Sequence, residues 1–215
     1  MSQPSFDSYN AFLLEGGLDR FTKILCRYEI YKQVIDLPGD VVECGVFKGQ
    51  GLLFWAKLIQ IFNPLSSRKV IGFDTFSGMP ASVTREHDRA GADAFLGYED
   101  VPARILAKVE AFGLTHRIEI VSGDATKTIP EFVKARPGFR VALLNLDFDV
   151  YEPTLAALEA LYDRVVGGGI VTLDEYAIHN WGESDAVDTF LKGRGLALKS
   201  TPWALSPTAY FVKPL

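Results

Sequence analysis

The 215-residue chain is poor in cysteine: it has only Cys26 and Cys44, and no C-x-x-C pair. That excludes a disulfide-built scaffold and fits reduced thiols in a cytoplasmic protein. No apolar run reaches the ~18 residues that a membrane helix needs. The best candidate, GLLFWAKLIQIF, is interrupted by Lys57. The N-terminal stretch MSQPSFDSYNAFLLEGG lacks the basic region, apolar core and small-residue cleavage site of a secretion signal. Positive charge is not in excess: 22 Lys and Arg stand against 27 Asp and Glu, a net charge of −5. This argues against a nucleic-acid or anionic-membrane surface, which needs a basic face. There is no internal repeat and no low-complexity segment. The expectation is a soluble, cytoplasmic protein with no nucleic-acid or membrane partner. Its 48% hydrophobic content supports one sizeable domain with a packed core.

Strands and helices alternate along the chain. Phe21, Leu25, Tyr28, Tyr31 and Ile35 recur at helical spacing and predict an amphipathic helix from about 18 to 36. DVVECG, KVIGFD, RIEIVSGD, VALLNLD and GIVTLDE read as five strands, with helical patterns between them. This order predicts a parallel sheet covered by helices on both faces. The last two strands, in LALKS and TAYFVK, are too close for a crossover and should form an antiparallel hairpin. Residues 76–100 make a long connection for a compact domain and read as a mobile loop or lid. Residues 1–36 read as an N-terminal helical segment, serving as a lid or an oligomer contact, ahead of a domain over 37–215.

Two features carry chemistry. The first is a set of four acids at the predicted ends of the fourth and fifth strands: Asp147 and Asp149 in LLNLDFDVYEPT, and Asp174 and Glu175 in GGGIVTLDEY. Carboxylates this close repel one another unless a cation or a proton intervenes. The second is the turn after the first strand, E-x-G-x-x-x-G-x-G, from Glu43 through Gly45, Gly49 and Gly51. It differs from the dinucleotide pattern G-x-G-x-x-G, and its leading acid suits a cationic ligand. Asp74 ends the second strand, where an acid can accept both hydroxyls of a ribose. Asp124 follows the third, placed to accept from an adenine amino group. Taken singly, Asp74 and Asp124 have a plain alternative as turn or cap residues, and so do Asp149 and Glu152 before a helix.

ECGVFKGQG, GFDTFSGMP, LDFDVYEPTLAALEALY and GGGIVTLDEY together resemble the macrocin O-methyltransferase family over about residues 37–192. The resemblance implies a Rossmann-like, three-layer class I fold with a seven-stranded, mostly parallel sheet. It implies S-adenosylmethionine (SAM) as methyl donor, Mg²⁺ (or Mn²⁺ or Ca²⁺) as metal, and a hydroxyl of a sugar or other diol-bearing natural product as acceptor. The implied donor site takes Glu43, Cys44, Gly45, Val46, Gly49 and Gly51 from the turn. Asp74, Thr75 and Ser77 would join from the second strand's end, Gly123, Asp124 and Ala125 from the third's, and Asp147 from the fourth's. Asp147, Asp174 and Glu175 match metal ligands, and Asp149 matches a general base, with His179 in reserve. The chain departs from the family pattern at Phe148, where Gly is usual, and at Glu175, where a second Asp is usual. Family members form dimers or higher oligomers, so a homo-oligomer is expected. Two other readings remain: a nicotinamide-dependent oxidoreductase and a non-catalytic SAM-binding protein.

Overall fold

The structure is a computed structural model and describes residues 3–91, 96–98 and 100–215. Five strands run parallel: β1 (Asp40–Cys44), β2 (Val70–Asp74), β3 (Ile118–Ser122), β4 (Val141–Leu146) and β5 (Val165–Leu173). Two short strands, β6 (Lys199–Ser200) and β7 (Ala209–Val212), close the sheet antiparallel. The order is β3-β2-β1-β4-β5-β7-β6, the mostly parallel sheet with a C-terminal hairpin that the sequence predicts. Successive strands proceed from β1 to β3 in one direction, and β4 and β5 lie on the other side of β1. The carboxyl ends of β1 and β4 thus flank a topological switch point, the place where open α/β sheets leave a crevice.

Near-continuous apolar strands, buried on both faces, demand helices on both faces. Val42, Cys44, Leu144 and Val171 face one layer, made by α6 (Ala125–Ala135), α7 (Tyr151–Leu161) and α8 (Glu183–Leu191). Val41, Leu143 and Ile170 face the other, made by α2 (Leu18–Lys32), α3 (Gln50–Phe62) and α5 (Val101–Ala111). Strand alternation also sets the fate of two neighbours after Val42: Cys44 points into the first core, and Glu43 points to the side of α2 and α3.

Gly16-Gly17 separates α1 (Gln3–Glu15) from α2, and two expectations need correction. No residue of α1 is buried. The buried stripe of α2 is Cys26, Arg27, Ile30 and Tyr31, whereas Phe21 and Leu25 are exposed. β5 begins at Val165, before the three glycines, and ends at Leu173, so Asp174 and Glu175 lie just past it.

The expected mobile loop, about 76–100, falls partly on residues 92–95 and 99, which lie outside the described residues. Its described part is tied down across the strand ends. It carries a single-turn helix, α4 (Glu86–Arg89). The Ser82 hydroxyl donates to Asp124, and the Thr84 amide donates to Glu152. Asp88 is fully buried and accepts from the amides of Tyr151 and Gly182.

Candidate active site

A cleft of about 650 Å³ opens at the carboxyl ends of β1, β2, β4 and β5, within the size range of small-molecule sites. One wall is the glycine-rich turn. Gly45 has φ +92° and its amide donates to the Phe73 carbonyl. A Cβ there would overlap the Asp147 carbonyl, so only glycine lets β1 and β4 converge at this point. Gly49 is left-handed at the N-cap of α3. Gly51 leaves room for the Glu43 carboxylate and the Arg27 guanidinium, which a methyl group would evict.

The four acids converge, and two cations from α2 meet them. Lys23 Nζ donates to Asp174 Oδ2 at 2.8 Å and to Asp147 Oδ2 at 3.3 Å. Arg27 Nη2 donates to Asp147 Oδ2 at 3.0 Å and lies 3.8 Å from Asp174 Oδ1. Arg27 Nη1 lies 3.8 Å from Glu43 Oε1. Burial, then the Asp174 charge, pushes the Asp147 carboxyl up to about 7. Burial works on Asp174 in the same sense, but Lys23 and then Arg27 outweigh it and hold that carboxyl below its usual range. Burial lowers the Lys23 ammonium, and Asp147 and Asp174 together raise it further. Asp149 is raised well above its usual value by burial and then by Asp147, and Glu175 is raised by burial and then by Asp174.

Asp149 occupies a backbone position that most side chains avoid, with φ +65°. Aspartate tolerates this region better than most residues. The Glu183 amide holds the conformation by donating to the Asp149 carbonyl at 2.9 Å. The Asp149 side chain makes no cap bond to α7, whose N-cap is Val150. Asp149 lines the cleft, and among the described residues its carboxyl does not cap the helix.

The structure brings Glu43, Gly45, Val46, Gly51, Asp74, Thr75, Gly123, Ala125, Asp147, Asp149, Asp174 and Glu175 to the cleft wall. Five candidates lie off it. Gly49 is the left-handed N-cap of α3. Cys44 is fully buried in the sheet core, and Ser77 and His179 are exposed on the surface. Asp124 caps α6, accepting from the Thr126 amide and hydroxyl. Asp74 lines the cleft with its carboxylate spoken for by three amides: Oδ2 accepts from Val46 and Phe47, and Oδ1 from Phe76. It fixes the shape of the glycine-rich turn.

Lys23 and Arg27 were missed by sequence reasoning, which reads α2 for its apolar residues. The available signal was two cations four residues apart on one helical face, with Arg27 inside the stripe of Cys26, Ile30 and Tyr31. Buried Asp88 and Glu183 gave no signal, because their partners lie far away in sequence.

Two measurements follow from this electrostatics. Arg27 is 2% exposed and faces Glu43, Asp147 and Asp174. Arg27→Ala is expected to lower the unfolding free energy by about 3–5 kcal/mol, because it removes a buried cation and leaves Lys23 alone to offset the acids; urea titration reads this directly. Glu43 is pushed up to about 8, first by burial and against the pull of Arg27. The native state therefore holds a proton that the unfolded chain has released, and stability falls as pH rises through the interval from about 4.5 to about 8. Tm measured at the two ends of that interval should fall in the wild type, and Glu43→Gln should flatten the slope.

The family model described as macrocin-O-methyltransferase (TylF) matches residues 18–201. The chain is 34% identical over 153 residues, 66% of its length, to the 8-demethyl-8-(2,3-dimethoxy-alpha-L-rhamnosyl)-tetracenomycin-C 4'-O-methyltransferase of Streptomyces olivaceus, and covers 54% of that protein. It is 27% identical over 149 residues, again 66% of its length, to the mycinamicin III 3''-O-methyltransferase of Micromonospora griseorubida, and covers 57% of that one. The chain thus spans little more than half the length of these curated relatives. Crystal structures of the calicheamicin methyltransferase CalS11 superpose with TM-scores of 0.86 and 0.78, at 32% and 30% identity, over 99% of this chain and 86% and 88% of those chains. One of them is described as a TDP-rhamnose 3'-O-methyltransferase. The fold is the Rossmann-like class I methyltransferase fold, and the chain belongs to the macrocin-O-methyltransferase (TylF) family.

Proposed function

We propose that this protein transfers a methyl group from SAM to a hydroxyl of a sugar, with rhamnose and related deoxyhexoses, free on a nucleotide or attached to a natural product, as the acceptor class. The observation that carries this reading is the meeting, in one cleft, of a glycine-only turn at the β1–β4 switch point with a cluster of carboxylates. The acceptor class comes from the sugar acceptors named for the relatives.

Bound SAM supplies an electrophilic methyl group on a sulfonium. The turn Gly45–Gly51 and the Asp74 that shapes it would hold the donor at the mouth of β1. The acceptor oxygen would then lie by Asp147 and Asp149, and alignment of oxygen, methyl carbon and sulfur can supply about 7–11 kcal/mol. As the C–O bond forms, the C–S bond breaks with its electrons going to sulfur, and the hydroxyl proton passes to the Asp149 carboxylate.

The divalent metal implied by sequence resemblance does not fit these residues as arranged. Mg²⁺ takes near-octahedral oxygens at about 2.0–2.1 Å. Here Lys23 and Arg27 already converge on the shared face of Asp147 and Asp174. Among the described residues no three His, Cys, Asp or Glu are gathered as a metal would need. No step is therefore routed through a metal.

Thermal shift with S-adenosylhomocysteine (SAH) against NADH tests the donor: SAH should raise Tm and NADH should not, and the reverse would favour an oxidoreductase. Incubation with SAM and TDP-rhamnose, read by mass spectrometry for one added CH₂, tests transfer. Bound SAH with no transfer across a panel of rhamnosides would favour a non-catalytic SAM-binding protein.

A further inference from the structure

Taking methyl transfer as the chemistry of the cleft, we propose that its fixed cation is the Lys23–Arg27 pair of α2 in place of a divalent metal, and that the Lys23 ammonium binds the acceptor oxygen. Asp147 and Asp174 are the buried carboxylates that would hold a metal, through the oxygens that face α2. That place is taken: one ammonium is 2.8 Å from Asp174 Oδ2 and 3.3 Å from Asp147 Oδ2, and one guanidinium is 3.0 Å from the same Asp147 oxygen. Asp174 is 1% exposed, and buried carboxylates in contact require paired cations. Lys23 and Arg27 meet that requirement from within the chain.

The cations stand on a packed element. Arg27 is buried beneath α2, with its guanidinium 5.6 Å from the centre of the Trp55 ring and Nη1 donating to Gln50. Tyr31, one turn further on, is fully buried and donates its hydroxyl to Asn63 at 2.7 Å. Lys23 therefore projects from a helix anchored at Arg27 and at Tyr31, and it lines the cleft together with Asp147 and Asp149.

An ammonium has three N–H donors. Two are committed to Asp174 and Asp147, and among the described residues no third acceptor takes the remaining one. A hydroxyl entering the cleft would complete the set. Lys23 would then stabilise negative charge growing on that oxygen in the transition state, the service a metal renders elsewhere. Asp149 would receive the proton, so the step balances without any additional co-reactant. One preorganised donor of this kind is worth about 10²–10³-fold in turnover.

Three measurements on the full chain test this. Enzyme stripped with EDTA and desalted is titrated with Mn²⁺, with free Mn²⁺ followed by EPR. Wild type should leave the free signal unchanged. Stoichiometric uptake that is lost in Asp174→Asn would overturn the proposal, whether or not any acceptor has been found. Turnover with SAM and TDP-rhamnose should be unaffected by EDTA, and turnover that disappears with EDTA and returns with Mg²⁺ would overturn it. Lys23→Met should lower kcat about 10²-fold or more while its SAH-induced shift in Tm matches wild type; normal kcat in that variant would remove Lys23 from the role. The SAH shift separates failures: its absence in wild type would sink the methyl-transfer reading, whereas its presence alongside Mn²⁺ uptake would sink only the lysine cation.

Discussion

Asp149→Asn is expected to lower kcat by about 10²–10⁴-fold while leaving SAH affinity unchanged. The substitution isolates the proton-accepting role. Asn, like Asp, tolerates positive φ, so the +65° backbone of residue 149 and the bond from the Glu183 amide to its carbonyl survive. The amide has nearly the same shape and cannot take the proton at neutral pH. Since the Asp149 side chain does not cap α7, the change should cost little stability. Steady-state kinetics and SAH thermal shift, measured on the same preparation, check both halves. A kcat near wild type would place the base elsewhere. His179→Ala is expected to have no such effect, because His179 is exposed and lies off the cleft.

Gly45→Ala should abolish donor binding. Two costs combine at this residue. An L side chain at φ +92° pays about 1–3 kcal/mol. The new methyl also collides with the backbone carbonyl of Asp147, an overpacking cost of about 1–3 kcal/mol more. The Asp147 amide donates to the Cys44 carbonyl at 2.7 Å, so the chain cannot yield without parting β1 from β4 where the donor would sit. A loss of about 2–6 kcal/mol in unfolding free energy is expected, with no SAH shift at a concentration that saturates wild type. A folded variant that still binds SAH normally would show that the turn is a tight connection and nothing more. Gly113→Ala is the control: it also has positive φ, at +66°, but a Cβ there meets nothing within 4 Å, so it should cost stability without touching SAH binding.

Strand composition shows how far local pattern reaches. VALLNL and VIGFD are apolar apart from Asn145 and the terminal Asp74, and such runs fit strands buried on both faces. Parallel order and flanking helices followed from that together with the alternation of strands and helices along the chain. The short tail between LALKS and TAYFVK allowed only an antiparallel return. The acid cluster was equally legible, because each pair follows directly on a buried strand and so lands at the carboxyl edge of the sheet. Boundaries were less so. The glycines at 167–169 look like a turn but lie within β5, where the register to β4 shifts and Gly168 (φ +78°) and Gly169 exchange backbone bonds with Lys213. In α2, the residues that look most suited to burial, Phe21 and Leu25, are exposed. The face that α2 buries carries Arg27 among Cys26, Ile30 and Tyr31, so the same face meets both the core and the acids.

The sequence by itself determined the sheet, the glycine-only turn and the gathering of Asp147, Asp149, Asp174 and Glu175 at one edge, because these depend on alternation, strand length and chain direction. Only the tertiary structure decided what neutralises those acids. The sequence required a cation and left its source open, since ion pairing acts through space between residues more than a hundred positions apart. Folding α2 against the ends of β1, β4 and β5 set Lys23 and Arg27 there, and made the cation part of the chain.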